Sequence, residues 1–103
     1  MNTTSISVDD LASIDQPVVI DVREDDEFAG GHVPGAIPMP MSRFLDFESE
    51  LPDGPLYVIC HSGARSDRVC EYLRSKDLEA INVEGGTLAW VQSGREVTVP
   101  DAG

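Results

Sequence analysis

The chain has 103 residues, of which 41% are hydrophobic, and this predicts one folded domain built on one core. Its formal net charge of −12 opposes binding to the phosphate backbone of DNA or RNA, so no nucleic-acid partner is expected. No run approaches the roughly 20 apolar residues of a membrane span, and the N-terminus lacks the features of a secretory signal, so we expect a cytoplasmic protein without a membrane partner.

The first third of the chain alternates helix and strand signals. Ser7 is the predicted N-cap of a short helix over Val8–Ser13, with acidic residues in its first turn. The β-branched run Pro17–Val22 shows no alternation of apolar and polar residues, which favours a strand buried on both faces. The following segment "REDDEFAGG" predicts a short acidic helix that stops at its paired glycines.

The middle of the chain is less regular. Three prolines interrupt "VPGAIPMP", so any strand there is short and irregular. Apolar side chains recur at roughly helical spacing in "MSRFLDFESEL", and "LPDGP" is typical of a turn.

The second half contains the clearest elements. "LYVIC" predicts a second buried strand, "RSDRVCEYLRSKD" an amphipathic helix, "AINVEGG" a third strand and "TLAWVQSG" a last short helix. The tail "REVTVPDAG" is predicted to be loosely attached, with fraying at its end. Strands that alternate with helices indicate an α/β domain with a mostly parallel sheet and helices on both faces.

Cys60 directly follows the second buried strand. Binding sites of parallel sheets lie beyond the carboxyl ends of the strands, so Cys60 occupies the expected place of an active site. The small residues of the following loop let backbone N–H groups point inward and form an anion-binding nest with the start of the next helix. This positive potential, together with the charge of Arg65, lowers the pKa of a cysteine and favours a nucleophilic thiolate.

Cys60 could be a structural or a catalytic residue, and its loop and its spacing from Arg65 bear on the choice. A lone cysteine at a strand end often only packs in the core, but the glycine-containing loop and Arg65 favour a functional role. The arrangement resembles that of cysteine-dependent phosphatases, which use Cys-x5-Arg to enclose a tetrahedral phosphate. Here the spacing is Cys-x4-Arg, and the tighter ring suits a smaller group, such as a terminal sulfur carried on the cysteine.

Three stretches make the chain resemble the single-domain rhodaneses, or sulfurtransferases, from about residue 6 to residue 95. They are "DVREDDEFAGGHVPGAIPMP", the loop "CHSGARS" and the closing motif "EGGTLAW". The resemblance implies one rhodanese-like domain over residues 1–103 with a core at about 6–95. It also implies a five-stranded parallel sheet with helices on both faces.

The resemblance further implies a mechanism. The Cys60 thiolate attacks the sulfane sulfur of a small-molecule donor such as thiosulfate, sulfite leaves, and Cys60 carries a persulfide. The acceptor is cyanide in assays, and a thiol or a sulfur-accepting protein in the cell. Arg65 would attract the anionic donor and stabilise the persulfide. The anion- and persulfide-binding loop implied in this way consists of His61, Ser62, Gly63, Ala64 and Arg65.

Asp21 and Arg23 lie at the end of the first buried strand, near the expected site. We interpret both as support, because a paired Asp in this setting usually braces backbone or an arginine. Arg23 could also add to the positive field. Cys70 is expected to pack in the core, although a resolving thiol is the alternative.

The histidines and the tryptophan are not expected to take part in catalysis. His32 is expected to be a structural histidine in a turn, and Trp90 to pack the last helix onto the sheet. His61 should face solvent or substrate, with a modest role in donor recognition as the alternative. No metal site is expected, because the histidines and the two cysteines lack the spacing of metal ligands, and no cofactor is predicted.

Two other functions stay open at this stage. One is a cysteine-dependent phosphatase or arsenate reductase of related fold, which the Cys-x4-Arg spacing disfavours. The other is a non-catalytic rhodanese-like binding module, which the presence of Cys60 disfavours. The acidic surface is consistent with an ordinary solvated protein and with one that stays soluble in high salt.

Overall fold

A computed structural model describes residues 4–99, which form a five-stranded sheet in the order β1-β5-β4-β2-β3. Every pairing is parallel, and β4 lies at the centre. The predicted α/β fold with a five-stranded parallel sheet is therefore confirmed. The strands are β1 (Ser5–Ile6), β2 (Val18–Asp21), β3 (Ile37–Pro38), β4 (Leu56–Ile59) and β5 (Ala80–Val83).

Helices connect the strands, and their ends follow the local sequence. Ser7 caps the first helix as predicted, since its side chain accepts a hydrogen bond from the Asp10 N–H at 3.1 Å. Within residues 4–99, no helix is long and apolar enough to cross a membrane. The helices are α1 (Val8–Ala12), α2 (Asp25–Ala29), α3 (Phe44–Phe47), α4 (Ala64–Ser75) and α5 (Gly86–Gln92), and short 3-10 turns flank α3 at Met41–Arg43 and Glu48–Glu50.

The two faces of the sheet carry separate cores, because successive side chains of a strand point to opposite sides. Ile20 and Val58 contribute to the core under α3 and α4, together with Phe44 and Leu73. The neighbouring Val19 and Ile59 contribute to the core under α1 and α5, which the side chains of Val8, Leu11 and Trp90 complete. The lack of alternation in the strand sequences thus reflects burial on both faces.

Two features differ from the local sequence pattern. The edge strand β1 is only two residues long, and it forms because Ser5 and Ile6 pair with β5. The tail was predicted to be loosely attached, but residues 95–99 are held on the domain. Thr98 exchanges backbone hydrogen bonds with His32 at 3.0 and 2.7 Å, and Val97 packs against the core under α1 and α5. The predicted fraying of the last residues falls on 100–103, which lie outside the described residues.

Candidate active site

Cys60 lies at the carboxyl end of the central strand β4 and is 1% exposed. The chain turns sharply after it and enters α4 at Ala64. Gly63 makes this turn with φ of +110°, a conformation that residues with a Cβ rarely adopt. The loop 61–63 and the first turn of α4 therefore fold back over the cysteine sulfur.

Two donors point at the sulfur. The Gly63 N–H donates to Cys60 Sγ at 3.0 Å, and the Ser66 hydroxyl lies 3.3 Å from the same atom. Burial raises the pKa of the Cys60 thiol, but hydrogen bonds from the Ser66 side chain and from the backbone N–H groups of Ser66, Gly63 and Ser62 outweigh it. The resulting pKa is lower than that of an ordinary cysteine, which favours the thiolate.

A buried pair of polar side chains, Ser66 and Asn82, supports this arrangement from behind. Ser66 Oγ lies 2.5 Å from Asn82 Oδ1, and Asn82 Nδ2 donates to the Gly63 carbonyl at 3.2 Å. Ser66 is 0% exposed and Asn82 8% exposed. The sequence interpretation gave neither residue a role, and the available signal was one amide inside the otherwise apolar strand "AINV".

The start of α5 anchors the loop from the other side. The Thr87 N–H donates to the Cys60 carbonyl at 2.8 Å, and the Leu88 N–H donates to the His61 carbonyl at 3.0 Å. These are N–H groups that the first turn of a helix leaves free. Gly86 permits the approach, because a Cβ there would lie 2.6 Å from the His61 carbonyl oxygen. The motif "EGGTLAW" thus acquires a structural role that its sequence did not reveal.

Arg65 forms a bidentate ion pair with Glu27 of α2. Its two terminal nitrogens contact the two carboxylate oxygens at 2.8 Å each. The guanidinium holds the pKa of Glu27 at about 2, and Glu27 in turn raises the pKa of Arg65. Both side chains are about one-third exposed, at 34% and 33%, so the pair forms part of the surface around the loop.

The two residues predicted as support form a buried pair. Arg23 Nη2 lies 2.9 Å from Asp21 Oδ2, and the same nitrogen donates to the Gly31 carbonyl at 2.8 Å. The Arg23 N–H also donates to Asp21 Oδ1 at 3.0 Å. Asp21 pairs in register with Ile59, the residue before Cys60. The pair therefore braces the end of β2 beside the site, and these hydrogen bonds do not reach the cysteine.

The remaining candidates fall into exposed and buried groups. His61 and Ser62 are exposed on the loop, and Ala64 is exposed at the start of α4. His32 is buried, with its Nδ1 at 3.0 Å from the Phe28 carbonyl oxygen and its ring stacked on that of Phe28. Over residues 4–99, no group of three or more His, Cys, Asp or Glu side chains is arranged to hold a metal ion.

Cys70 differs from Cys60 in its surroundings. It is fully buried on α4 within the same core, and burial raises the pKa of its thiol to about 12. A thiol of this kind reacts slowly at neutral pH. Of the two cysteines, only Cys60 combines a lowered pKa with the donors of a loop.

Comparisons with known proteins point to one family. The model of the rhodanese-like domain matches residues 7–93. YtwF of Bacillus subtilis, named as a candidate sulfurtransferase, is 44% identical over 73 residues, which cover 70% of this chain and 71% of that protein. A protein of Allochromatium vinosum named sulfurtransferase is 33% identical over 93 residues, which cover 88% of this chain and 87% of that protein.

Solved structures give the same result. A rhodanese-like domain protein from Staphylococcus aureus superimposes with a TM-score of 0.85 at 33% identity, over 96% of this chain and 100% of that one. A rhodanese-related protein from Thermoplasma volcanium gives a TM-score of 0.88, also at 33% identity, over 94% and 99% of the two chains.

Proposed function

The chain belongs to the rhodanese-like family, and on this premise we propose that it is a sulfurtransferase that carries sulfane sulfur on Cys60 as a persulfide. The observation that carries the proposal is the pair of donors on Cys60 Sγ, namely the Gly63 N–H at 3.0 Å and the Ser66 hydroxyl at 3.3 Å. Both stabilise negative charge on sulfur without a neighbouring base. The activity needs no cofactor.

In the first half of the reaction, the Cys60 thiolate attacks the outer sulfur of a donor such as thiosulfate. A new S–S bond forms on Cys60 Sγ, the S–S bond of the donor breaks, and its electron pair leaves with sulfite. The outer sulfur keeps its negative charge and becomes the terminal sulfur of the persulfide. Backbone N–H groups of residues 61–65 and the start of α4 are suited to hold this charge.

In the second half, a thiophilic acceptor attacks the terminal sulfur. Cyanide serves as the acceptor in assays, and a thiol, free or on a sulfur-accepting protein, serves in the cell. The bond between Sγ and the terminal sulfur breaks, and its electron pair returns to Cys60. The donors that favour the thiolate of the resting protein also stabilise this leaving group.

The test is the intact mass of the reduced protein after incubation with thiosulfate. We expect a gain of one sulfur atom that cyanide or dithiothreitol removes. Cys60→Ser should abolish the gain, whereas the matched variant Cys70→Ser should retain it. The proposal is wrong if no sulfane donor adds sulfur to the folded protein, and turnover of an aryl phosphate would instead favour a phosphatase.

A further inference from the structure

The Ser66 hydroxyl has one proton and three acceptors within reach. Its oxygen lies 2.5 Å from Asn82 Oδ1, 3.2 Å from the Gly63 carbonyl oxygen and 3.3 Å from Cys60 Sγ. A hydroxyl donates one hydrogen bond at a time. The position of this proton therefore determines which of the three groups Ser66 stabilises.

The Gly63 carbonyl is already satisfied. It accepts from the Asp67 N–H and from Asn82 Nδ2, each at 3.2 Å, and these two bonds occupy its two lone pairs. The second bond also fixes the Asn82 amide, since a flipped amide would place its oxygen against the Gly63 oxygen. The Ser66 proton is left with two acceptors, Asn82 Oδ1 and Cys60 Sγ.

We propose that the Ser66 proton alternates between these two acceptors during the sulfur-transfer cycle and stabilises Cys60 Sγ when it leaves as a thiolate. The inference rests on the proposed persulfide cycle and assigns two residues within it. Ser66 contacts the reacting sulfur directly and acts in catalysis. Asn82 is a positioning residue whose Oδ1 accepts the Ser66 hydrogen bond while Sγ is uncharged.

The charge on Sγ changes between the two states. In the persulfide, Sγ is an uncharged sulfur between two bonds and a weak acceptor, so the proton bonds to Asn82. When cyanide attacks the terminal sulfur, a C–S bond forms, the S–S bond breaks, and the electron pair goes to Sγ as thiocyanate departs. The new thiolate is a charged acceptor, and the Ser66 hydroxyl turns toward it. No proton leaves Ser66 at any point.

The test separates the two half-reactions. Protein is loaded with thiosulfate, freed of the donor and mixed with cyanide, and thiocyanate is followed in a single turnover. We expect Ser66→Ala to slow this discharge by about tenfold or more, because a hydrogen bond to a charged group is lost. Ser75→Ala is the matched control on the same helix, where the hydroxyl donates to the Tyr72 carbonyl, and it should discharge at the wild-type rate.

A pH profile tests the same contact in the unloaded protein. The rate of Cys60 alkylation by iodoacetamide should follow the thiolate, and its midpoint should move to higher pH in Ser66→Ala. A variant that only loosened the structure would expose Cys60 and not move the midpoint upward. An unchanged midpoint together with a discharge rate within about twofold of wild type overturns the role of Ser66.

Asn82 is tested through its coupling to Ser66. The loss in discharge rate of the double variant Ser66→Ala/Asn82→Ala should be smaller than the product of the two single losses, because both act on one proton. Losses that multiply would overturn the positioning role. Should either variant fail to fold, the wild-type protein still decides: the side-chain amide resonance of Asn82 should shift between the thiolate and persulfide forms, and an unshifted resonance overturns the alternation.

The two proposals fail in different ways. If wild-type protein never takes up sulfur, the proposed function is wrong. If wild-type protein loads and discharges, and Ser66→Ala does so equally fast with the same alkylation profile, only the alternation of the proton is wrong.

Discussion

Arg65, in the first turn of α4 after the loop 61–63, is ion-paired to Glu27 of α2 through two contacts of 2.8 Å each. A second pair, between Arg43 and Asp25 at 2.8 Å, joins the same helix to the segment before α3. The acidic helix α2 thus balances the charge of two arginines in a protein whose net charge is −12. Under the proposed function, an anionic donor would therefore meet an arginine that already has a counter-ion.

The first prediction concerns this counter-ion. Glu27→Gln removes the charge opposite Arg65, so the KM for thiosulfate should fall by about two- to fivefold, the range that a partly exposed pair allows. The control is Asp9→Asn, which makes the same change in net charge at the pair between Asp9 and Arg95. Steady-state kinetics with cyanide as acceptor measure the effect. An unchanged or higher KM in Glu27→Gln would show that Arg65 does not attract the donor.

The second prediction is a pH dependence of stability. Arg65 lowers the pKa of Glu27 from 4.5 to about 2 in the folded protein. Because the folded pKa is the lower one, the contribution is complete above pH 4.5 and disappears as the pH falls through about 2. Solvent screening of this partly exposed pair limits it to about 1 kcal/mol or less.

Urea unfolding of wild-type protein and Glu27→Gln across this interval measures the effect. The difference in unfolding free energy should shrink toward acid pH. A difference that stays constant would mean that the ionisation of Glu27 does not stabilise the fold.

The sequence predicts the position of Cys60 well, because its signals are local. An apolar run, a cysteine, small residues and an amphipathic helix follow one another within about twenty residues, and each constrains the next. The partners of the loop are not local. Glu27 lies 38 residues from Arg65, and Asn82 lies 16 residues from Ser66. These contacts depend on which strands lie beside β4 in the sheet. The order of strands in a sheet cannot be predicted from a local sequence pattern.

The attached tail and the strand β1 have the same explanation. Thr98 bonds to His32, and Ser5 pairs with Asn82, across most of the chain. A two-residue strand has too few residues to show a period, and the segment 95–99 is held by contacts to side chains and backbone far away in sequence. Both features depend on the folded core and not on local preference.

The third prediction contrasts a buried with an exposed ion pair. Asp21→Asn leaves the Arg23 charge buried without its carboxylate partner and should lower the unfolding free energy by about 3–5 kcal/mol. Asp25→Asn makes the same chemical change at the exposed pair with Arg43 and should cost less than about 1 kcal/mol. Chemical unfolding of the two variants compares them directly. Equal effects would contradict the bracing role of the buried pair.

The fourth prediction concerns Gly86, which lets α5 approach the cysteine loop. Gly86 has φ of +59°, and a Cβ there would collide with the carbonyl oxygens of Cys60 and His61. Gly94 has φ of +84°, but a Cβ there would meet no atom within 4 Å among the described residues beyond its chain neighbours. An alanine at either position would therefore be strained by the left-handed backbone, but only at Gly86 would its Cβ also collide with neighbouring atoms.

Gly86→Ala should lower the unfolding free energy by about 3 kcal/mol or more, since backbone atoms must move as well. Gly94→Ala should cost only about 1–2 kcal/mol. Because the Thr87 and Leu88 N–H groups hold the loop, folded Gly86→Ala should also gain less sulfur from thiosulfate by intact mass, while Gly94→Ala loads normally. Equal stability and loading of the two variants would show that the approach of α5 does not shape the cysteine loop.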